Sequence, residues 1–518
     1  MERHRPIVMG SNGMVASGHH LASAAGLRVL LDGGNAFDAA IAAAAVVSVV
    51  KPSANSIGGH VMALLWDAHT NELHALDANG TAPAAATPSR YADGIPAHGP
   101  LSVSVPGVVA AWDAIATRFG TRGLADLLQP AIGYAEHGFG VNHLLHTRTR
   151  ELVPELAKWP ATAAVFLPGG GAPAPTHLLR QPDLAASLRL IASEGASAFY
   201  RGPLAERIGA FMASVGGLLT ADDLAHYGVR WSDPLRTRYR DVECCWQPPS
   251  SQGFIIGQEL NVFGGYSPAA MSLEERVHVM VEAKKLAFAD RDRYLGDGAS
   301  VAALLSRDHA ERQRARIAST AAGDVEALEL AAAGGETTYL CVVDRAGNAV
   351  SFIQSIFAEY GSHVVAGDTG ILLNNRMTGF VTTPGHVNQV GPGKRPVMTL
   401  NACMLLRDGR PWVAYGTPGS QAQVQTNFQN AVHFVDDGMD VQAAIEAPRW
   451  RQDAGRLFLE RRFPPAVAEG LRKRGHHVEV TDDWSYLAGG AQAIMIDPAS
   501  GLLQAGADPR REGYAIGF

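Results

Sequence analysis

The stretch AAIAAAAVVSVV at positions 39–50 constrains this chain more than any other, because twelve consecutive residues carry only one polar side chain, Ser48. It is shorter than the roughly 20 residues needed to cross a bilayer, and its alanines favour a helix buried on all sides. Asn35 offers an N-cap with Asp38 three residues on, and Lys51-Pro52 closes the segment. Just before it, Leu21 to Leu31 shows helical apolar spacing and stops at Gly33-Gly34. Two adjacent helices this apolar predict a helix layer packed on a sheet.

The sheet is legible too. HVMALLWDAHTNELHALD (60–77) reads as two strands around a polar Asp67–Asn71 turn. TTYLCVVD, AVSFIQSI, GILLNN, TLNACMLLRDG and PWVAYG, all after residue 336, alternate and are separated by Gly, Asp and Asn turns. Between about 100 and 335 helical patterns dominate, which predicts a lobe over the sheet, with PGGGAPAPTH (168–177) as a loop. The weakly patterned Ala/Gly segment 319–336 ends abruptly at the β-rich part and is expected to be an exposed, cleavable connection.

Of the 518 residues 47% are hydrophobic and 18% charged, which suits a large core rather than a disordered chain. A formal net charge of −7 without a long basic run gives no footprint for nucleic acid or anionic lipid, so a small-molecule partner is expected. The first residues lack an apolar signal core, so a cytoplasmic location is expected. Cys244, Cys245, Cys341 and Cys403 form no CxxC pair and are expected to be buried small residues. His143/His146, His19-His20 and His476-His477 do not supply three or four ligands at metal spacing, so no metal is expected. GPGKR near 391–395 lacks a phosphate-loop frame, and the charged run Lys284 to Asp297 is expected to be a solvated helix face.

Counting from the Asp344–Asn348 turn sets Thr337 opposite Ser355 or Ile356 on the neighbouring strand. Directly opposed Cβ atoms lie about 4.5–5.5 Å apart, so Ser355 can orient Thr337. Farther on, PWVAYG runs into TPGS (417–420) and then a helical segment, so free N–H groups at Gly419-Ser420 meet a helix N-terminus, where a tetrahedral anion is favoured.

GGNAFDAAIAAAA, SIGGH, TAPAAATP, SVPGVVAAW, EAKKLAFADRDRYLGD, TTYLCVVDRAGNAVSF, GILLNN, KRP, GTPGS and APRW occur in order along the chain. Together they resemble the signature segments of the gamma-glutamyltransferase family of N-terminal nucleophile hydrolases. The resemblance implies an α+β fold, an αββα four-layer sandwich with two stacked antiparallel sheets between helix layers. It also implies a proenzyme cut between Glu336 and Thr337 into a large piece, 1–336, and a small one, 337–518, intertwined as a heterodimer of fragments; homo-oligomers of that heterodimer are left open. Thr337 then corresponds to the nucleophile, Ser355 to a Thr that contacts its amino group, and Gly419-Ser420 to the oxyanion-hole pair, and no cofactor is required.

The family's glutamyl contacts read differently in this chain. Asn79 stands where an Arg holds the α-carboxylate, Gly379 where an Asp holds the α-ammonium, Phe357 where an Asn is expected, and Met398-Thr399 where a Ser-Ser pair follows KRP. Arg376, after Asn375 in the NNRM loop, is expected to be a relocated anion anchor. These six positions, Asn79, Phe357, Asn375, Arg376, Met398 and Thr399, are expected to line the substrate site. The expected activity is therefore an amidohydrolase or acylase acting on a small carboxylate-bearing amide. A true γ-glutamyl transferase or glutathione hydrolase, and a non-processing binding relative, are the alternatives.

Overall fold

The computed structural model describes residues 4–321 and 335–518, so most of the 319–336 segment lies outside the described residues. Both apolar helices form as expected, over His20–Leu31 and Ala36–Val50. Asn35 and Asp38 make a complete capping box, and every residue from Ala36 to Val50 is buried. Small alanine side chains let the two helices approach closely while the opposite face lies on a sheet.

Two seven-stranded sheets stack on each other, each antiparallel throughout. The first runs Tyr514–Gly517, Gly13–Ser17, Gly335–Asp344, Ala349–Ala358, His60–Asp67, Glu72–Ala78, Arg230–Ser232. The second runs Val8–Gly10, Leu503–Ala507, Gln492–Ile496, Arg410–Gly416, Cys403–Arg407, Val242–Trp246, Leu235–Tyr239.

Strand periodicity builds the layers. Leu340 and Val342 point into the core shared with the two apolar helices, whereas Tyr339, Cys341 and Val343 point into a second core between the sheets, beside Met404, Ala414 and Ile494. A third core joins the second sheet to the helices Phe254–Phe263 and Ala422–Val435. The result is the expected four-layer α+β sandwich.

Two expectations need correction. The 100–335 region is not simply a lobe, because Arg230–Ser232 closes one edge of the first sheet and the hairpin Leu235–Tyr239 with Val242–Trp246 closes one edge of the second. The helix Leu273–Tyr294 is not a solvated face: Lys284, Lys285, Arg291 and Asp292 are buried. It packs against Phe254–Phe263 and Pro465–Lys473, and its charges are met locally, Lys285 by Glu282, Arg291 by Asp292, and Lys284 by the Gln452 amide oxygen. All four cysteines are buried and unbridged, as expected. Among the described residues no helix is long and apolar enough to cross a membrane.

Candidate functional site

The strands Gly335–Asp344 and Ala349–Ala358 pair Glu336 with Phe357 and Thr338 with Gln354, and the register shifts between those pairs. The bulge lies on the Ala349–Ala358 strand, where Ser355 and Ile356 together oppose the single residue Thr337, which is where the turn count set it. A bulge re-aims side chains on the strand that carries it, here that of Ser355. The Thr337 hydroxyl lies 2.8 Å from the carbonyl oxygen of Glu336 and 3.2 Å from Ser355 Oγ. Ser355 Oγ donates to that same carbonyl at 2.8 Å and accepts the Phe357 N–H at 2.8 Å. Two hydroxyls thus meet on one carbonyl oxygen in a site where Thr337 is only 2% exposed. The approach depends on Gly59 in SIGGH, since a Cβ there would sit 2.5 Å from the Ser355 carbonyl oxygen.

Several neighbours were not singled out from the sequence. Asn55 Nδ2 donates to Thr338 Oγ1 at 2.7 Å, fixing the second threonine. Arg511 Nη1 reaches the Glu336 carboxylate at 3.4 Å, and its guanidinium stacks 3.8 Å over the Tyr486 ring. Lys51 is buried nearby; burial lowers its pKa from the usual lysine value, an effect opposed by the negative charges of Glu336 and Glu512. Only the tandem Arg510-Arg511 near the end of the chain could have hinted at this cluster, because its members come from three distant segments.

Gly419 and Ser420 form the expected turn between strand Arg410–Gly416 and helix Ala422–Val435. Their φ values of 129° and 52° are both positive, and neither backbone N–H meets an acceptor among the described residues. Consecutive N–H groups of this kind make an anion-binding concavity. The turn sits on the sheet facing Thr337. Cβ atoms added at Gly419 and Gly490 would lie 3.3 Å from Gly489 Cα and 2.7 Å from Arg511 Cγ, and Arg511 in turn holds Glu336.

Arg376 is fully buried, and Nε, Nη1 and Nη2 all lack a hydrogen-bond partner among the described residues. Its guanidinium stands 4.4 Å over the ring of Phe357, and burial pushes its pKa down to about 9. Phe357 itself has φ 83°, an uncommon conformation for a bulky residue, and is tied through its N–H to Ser355. The guanidinium and the Ser355 hydroxyl are therefore joined through a single residue of positive φ.

The other expected substrate residues divide. Asn375 is not free to face a substrate: its Oδ1 accepts from Ala358 N–H at 3.0 Å and its Nδ2 donates to the Ala97 carbonyl at 2.8 Å, so it fastens the loop that carries Arg376. Asn79 Nδ2 is used by Ser250 Oγ and the Pro396 carbonyl, while its Oδ1 remains without a partner. Met398 packs into the core between the sheets rather than lining a pocket, because alternation turns it inward with Leu400. Thr399 is buried beside it and contributes its carbonyl to Asn401 Nδ2 at 2.9 Å.

A family model described as Gamma-glutamyltranspeptidase matches residues 22–518. The chain is 39% identical over 522 residues to the glutathione hydrolase-like YwrD proenzyme of Bacillus subtilis (strain 168), covering 99% of each protein. It is 38% identical over 527 residues to the acylase ACY 1 proenzyme of Pseudomonas sp. (strain V22), covering 98% of this chain and 94% of the relative. A crystal structure of cephalosporin acylase from Bacillus halodurans superposes with a TM-score of 0.95 at 35% identity, over 100% of this chain and 98% of that one.

Proposed function

Since the chain belongs to the gamma-glutamyltranspeptidase family, we propose that it is a proenzyme that cuts itself between Glu336 and Thr337 and then hydrolyses amides of small carboxylate-bearing acyl groups through a threonyl ester. The observation that carries this reading is the Thr337 hydroxyl, 2.8 Å from the carbonyl oxygen of the peptide it would break, with Ser355 bonded to the same oxygen.

In the first step Thr337 Oγ attacks the Glu336 carbonyl carbon, with the developing oxyanion held by the Ser355 hydroxyl. The C–N bond breaks as nitrogen takes up a proton, leaving Glu336 esterified to Thr337. That bond breakage frees the Thr337 α-amine, and water then hydrolyses the ester, releasing the Glu336 carboxylate and restoring the Thr337 hydroxyl. That amine is the base the intact chain lacks, because an amide nitrogen cannot accept the proton. In the mature enzyme it takes the Thr337 proton as Oγ attacks a substrate amide, and the oxyanion forms against the N–H groups of Gly419 and Ser420. The amine then protonates the leaving nitrogen, and water cleaves the acyl ester. Arg376 supplies a buried guanidinium with five N–H donors for the acyl carboxylate.

Glutamyl recognition is disfavoured, because Asn79 spends its amide on Ser250 and Pro396 and Gly379 has no side chain to meet an ammonium. The test compares dicarboxylic monoamides with γ-glutamyl amides on processed protein. Hydrolysis of the former, abolished together with self-cleavage by Thr337→Ala, supports the reading. Equal or faster release from γ-glutamyl amides, or amide hydrolysis by Thr337→Ala, contradicts it.

A further inference from the structure

One buried cluster plays no part in that chemistry. His278 and Glu282 stand one turn apart on helix Leu273–Tyr294, and His476 follows helix Pro465–Lys473, which packs against it. One donor atom from each of the three lies within 4.8 Å of the others, and all three residues are buried. His278 Nδ1 and His476 Nε2 are 2.8 Å apart, and His476 Nε2 lies 4.0 Å from Glu282 Oε1.

The cluster is oriented from outside. His278 Nε2 lies 2.8 Å from the Ala318 carbonyl oxygen, an atom that can only accept. The ring proton therefore belongs on Nε2, and the Nδ1 lone pair points at His476. Metal-bound imidazoles are held in the same way, with the second nitrogen donating to a carbonyl or carboxylate. Lys285 donates to Glu282 Oε1 at 2.8 Å and so fixes the carboxylate in place.

We propose that His278 Nδ1, His476 Nε2 and a Glu282 carboxylate oxygen bind a divalent transition metal of the zinc and cobalt class, with water as the fourth ligand. Two imidazoles and a carboxylate are a donor set suited to such ions. Bonds of about 2.0–2.1 Å at a tetrahedral angle hold two nitrogens about 3.3 Å apart, so the rings need to separate only slightly. In the metal-free cluster the His476 Nε2 proton fills the contact between the rings. On binding it passes to Nδ1, the imidazole stays neutral, and the Nε2 lone pair meets the metal.

The sequence could not announce this site, because its two histidines lie 198 positions apart. Their placement gives the site a consequence that rests on the proposed cleavage: His278 and Glu282 belong to the large piece and His476 to the small one. The neighbouring Ala318, Ser319 and Ala321 are pinned by His278 and by Arg474 of the small piece. A bound metal would staple the two fragments beside residues 318–321 of the large one.

Metal binding is tested independently of processing, on chelator-stripped full-length protein titrated with Co²⁺ and then Zn²⁺. One equivalent of cobalt should give the visible absorption of a four-coordinate nitrogen and oxygen site, zinc should bleach it, and Glu282→Gln and His476→Ala should each weaken binding by about tenfold or more. Absence of saturable absorption, an intense thiolate band placing cobalt on cysteine, or wild-type affinity in Glu282→Gln would overturn the proposal. The wild-type spectrum and Glu282→Gln decide the matter if His476→Ala does not fold.

Discussion

Arg376 is held at a cost that folding alone does not explain. A guanidinium buried without an acceptor among the described residues loses hydration and gains its stacking on Phe357. Replacing it with an apolar side chain of similar length should therefore stabilise the protein while damaging recognition. Arg376→Met is expected to raise the thermal unfolding temperature and to lower kcat/KM for carboxylate-bearing amides by about 10²-fold, the loss of one or two charge-assisted hydrogen bonds. Self-cleavage should survive, which a denaturing gel reads directly. At this scale the placement of Thr337 opposite Ser355 and the Gly419-Ser420 turn before a helix were legible in the sequence, because turn geometry can be counted; Arg376 came only through the family resemblance. Asn55, Lys51 and Arg511 were not, since each reaches the site from a segment with no local mark of its role. The hydrogen bonds of Asn375 and the inter-sheet packing of Met398 were not legible either, because a sequence position does not say which way its side chain points.

Among the elements, the segments joined by buried charge decide how acid affects the fold. Asp508 lies between Arg449 and Arg510, and Arg510 also grips Glu460, all of them buried. Burial by itself would raise the Asp508 pKa, but the two guanidinium groups hold it below the ordinary aspartate value. A carboxyl depressed in the fold contributes stability that is present above its unfolded pKa of about 3.9 and is lost as pH falls through the folded value. Asp508→Asn should therefore destabilise the protein by about 3–5 kcal/mol near neutrality, because Arg449 loses its carboxylate and Arg510 keeps only Glu460. The gap from wild type should narrow as pH drops below about 4, as chemical denaturation at several pH values would measure. The paired strands and both apolar helices were readable at this scale because periods of 2 and 3.6 mark them. The buried charges of Leu273–Tyr294 were not, since a helix that pairs its charges internally carries the same pattern whether it faces solvent or protein.

For the whole molecule, the proposed cut falls at the head of a strand flanked by Gly13–Ser17 on one side and Ala349–Ala358 on the other. Both sheets draw strands from each side of residue 336, and the inter-sheet core mixes Met14, Met62 and Leu64 with Tyr339, Met404 and Ile494. The fragments should consequently stay together on gel filtration in native buffer and separate only in denaturant, with one shared unfolding transition. The four-layer arrangement itself was legible only through the family resemblance, because single-chain periodicity does not say which strands from distant segments become neighbours.

The central claim is that a hydroxyl and an amine on one liberated residue act together. The measurement that tests it most directly is the intact mass of purified, amide-hydrolysing protein. Two polypeptides whose boundary falls between Glu336 and Thr337 are predicted, the smaller gaining the acyl mass when trapped with a slow substrate. An active protein that remains a single unbroken chain of 54.7 kDa would contradict it.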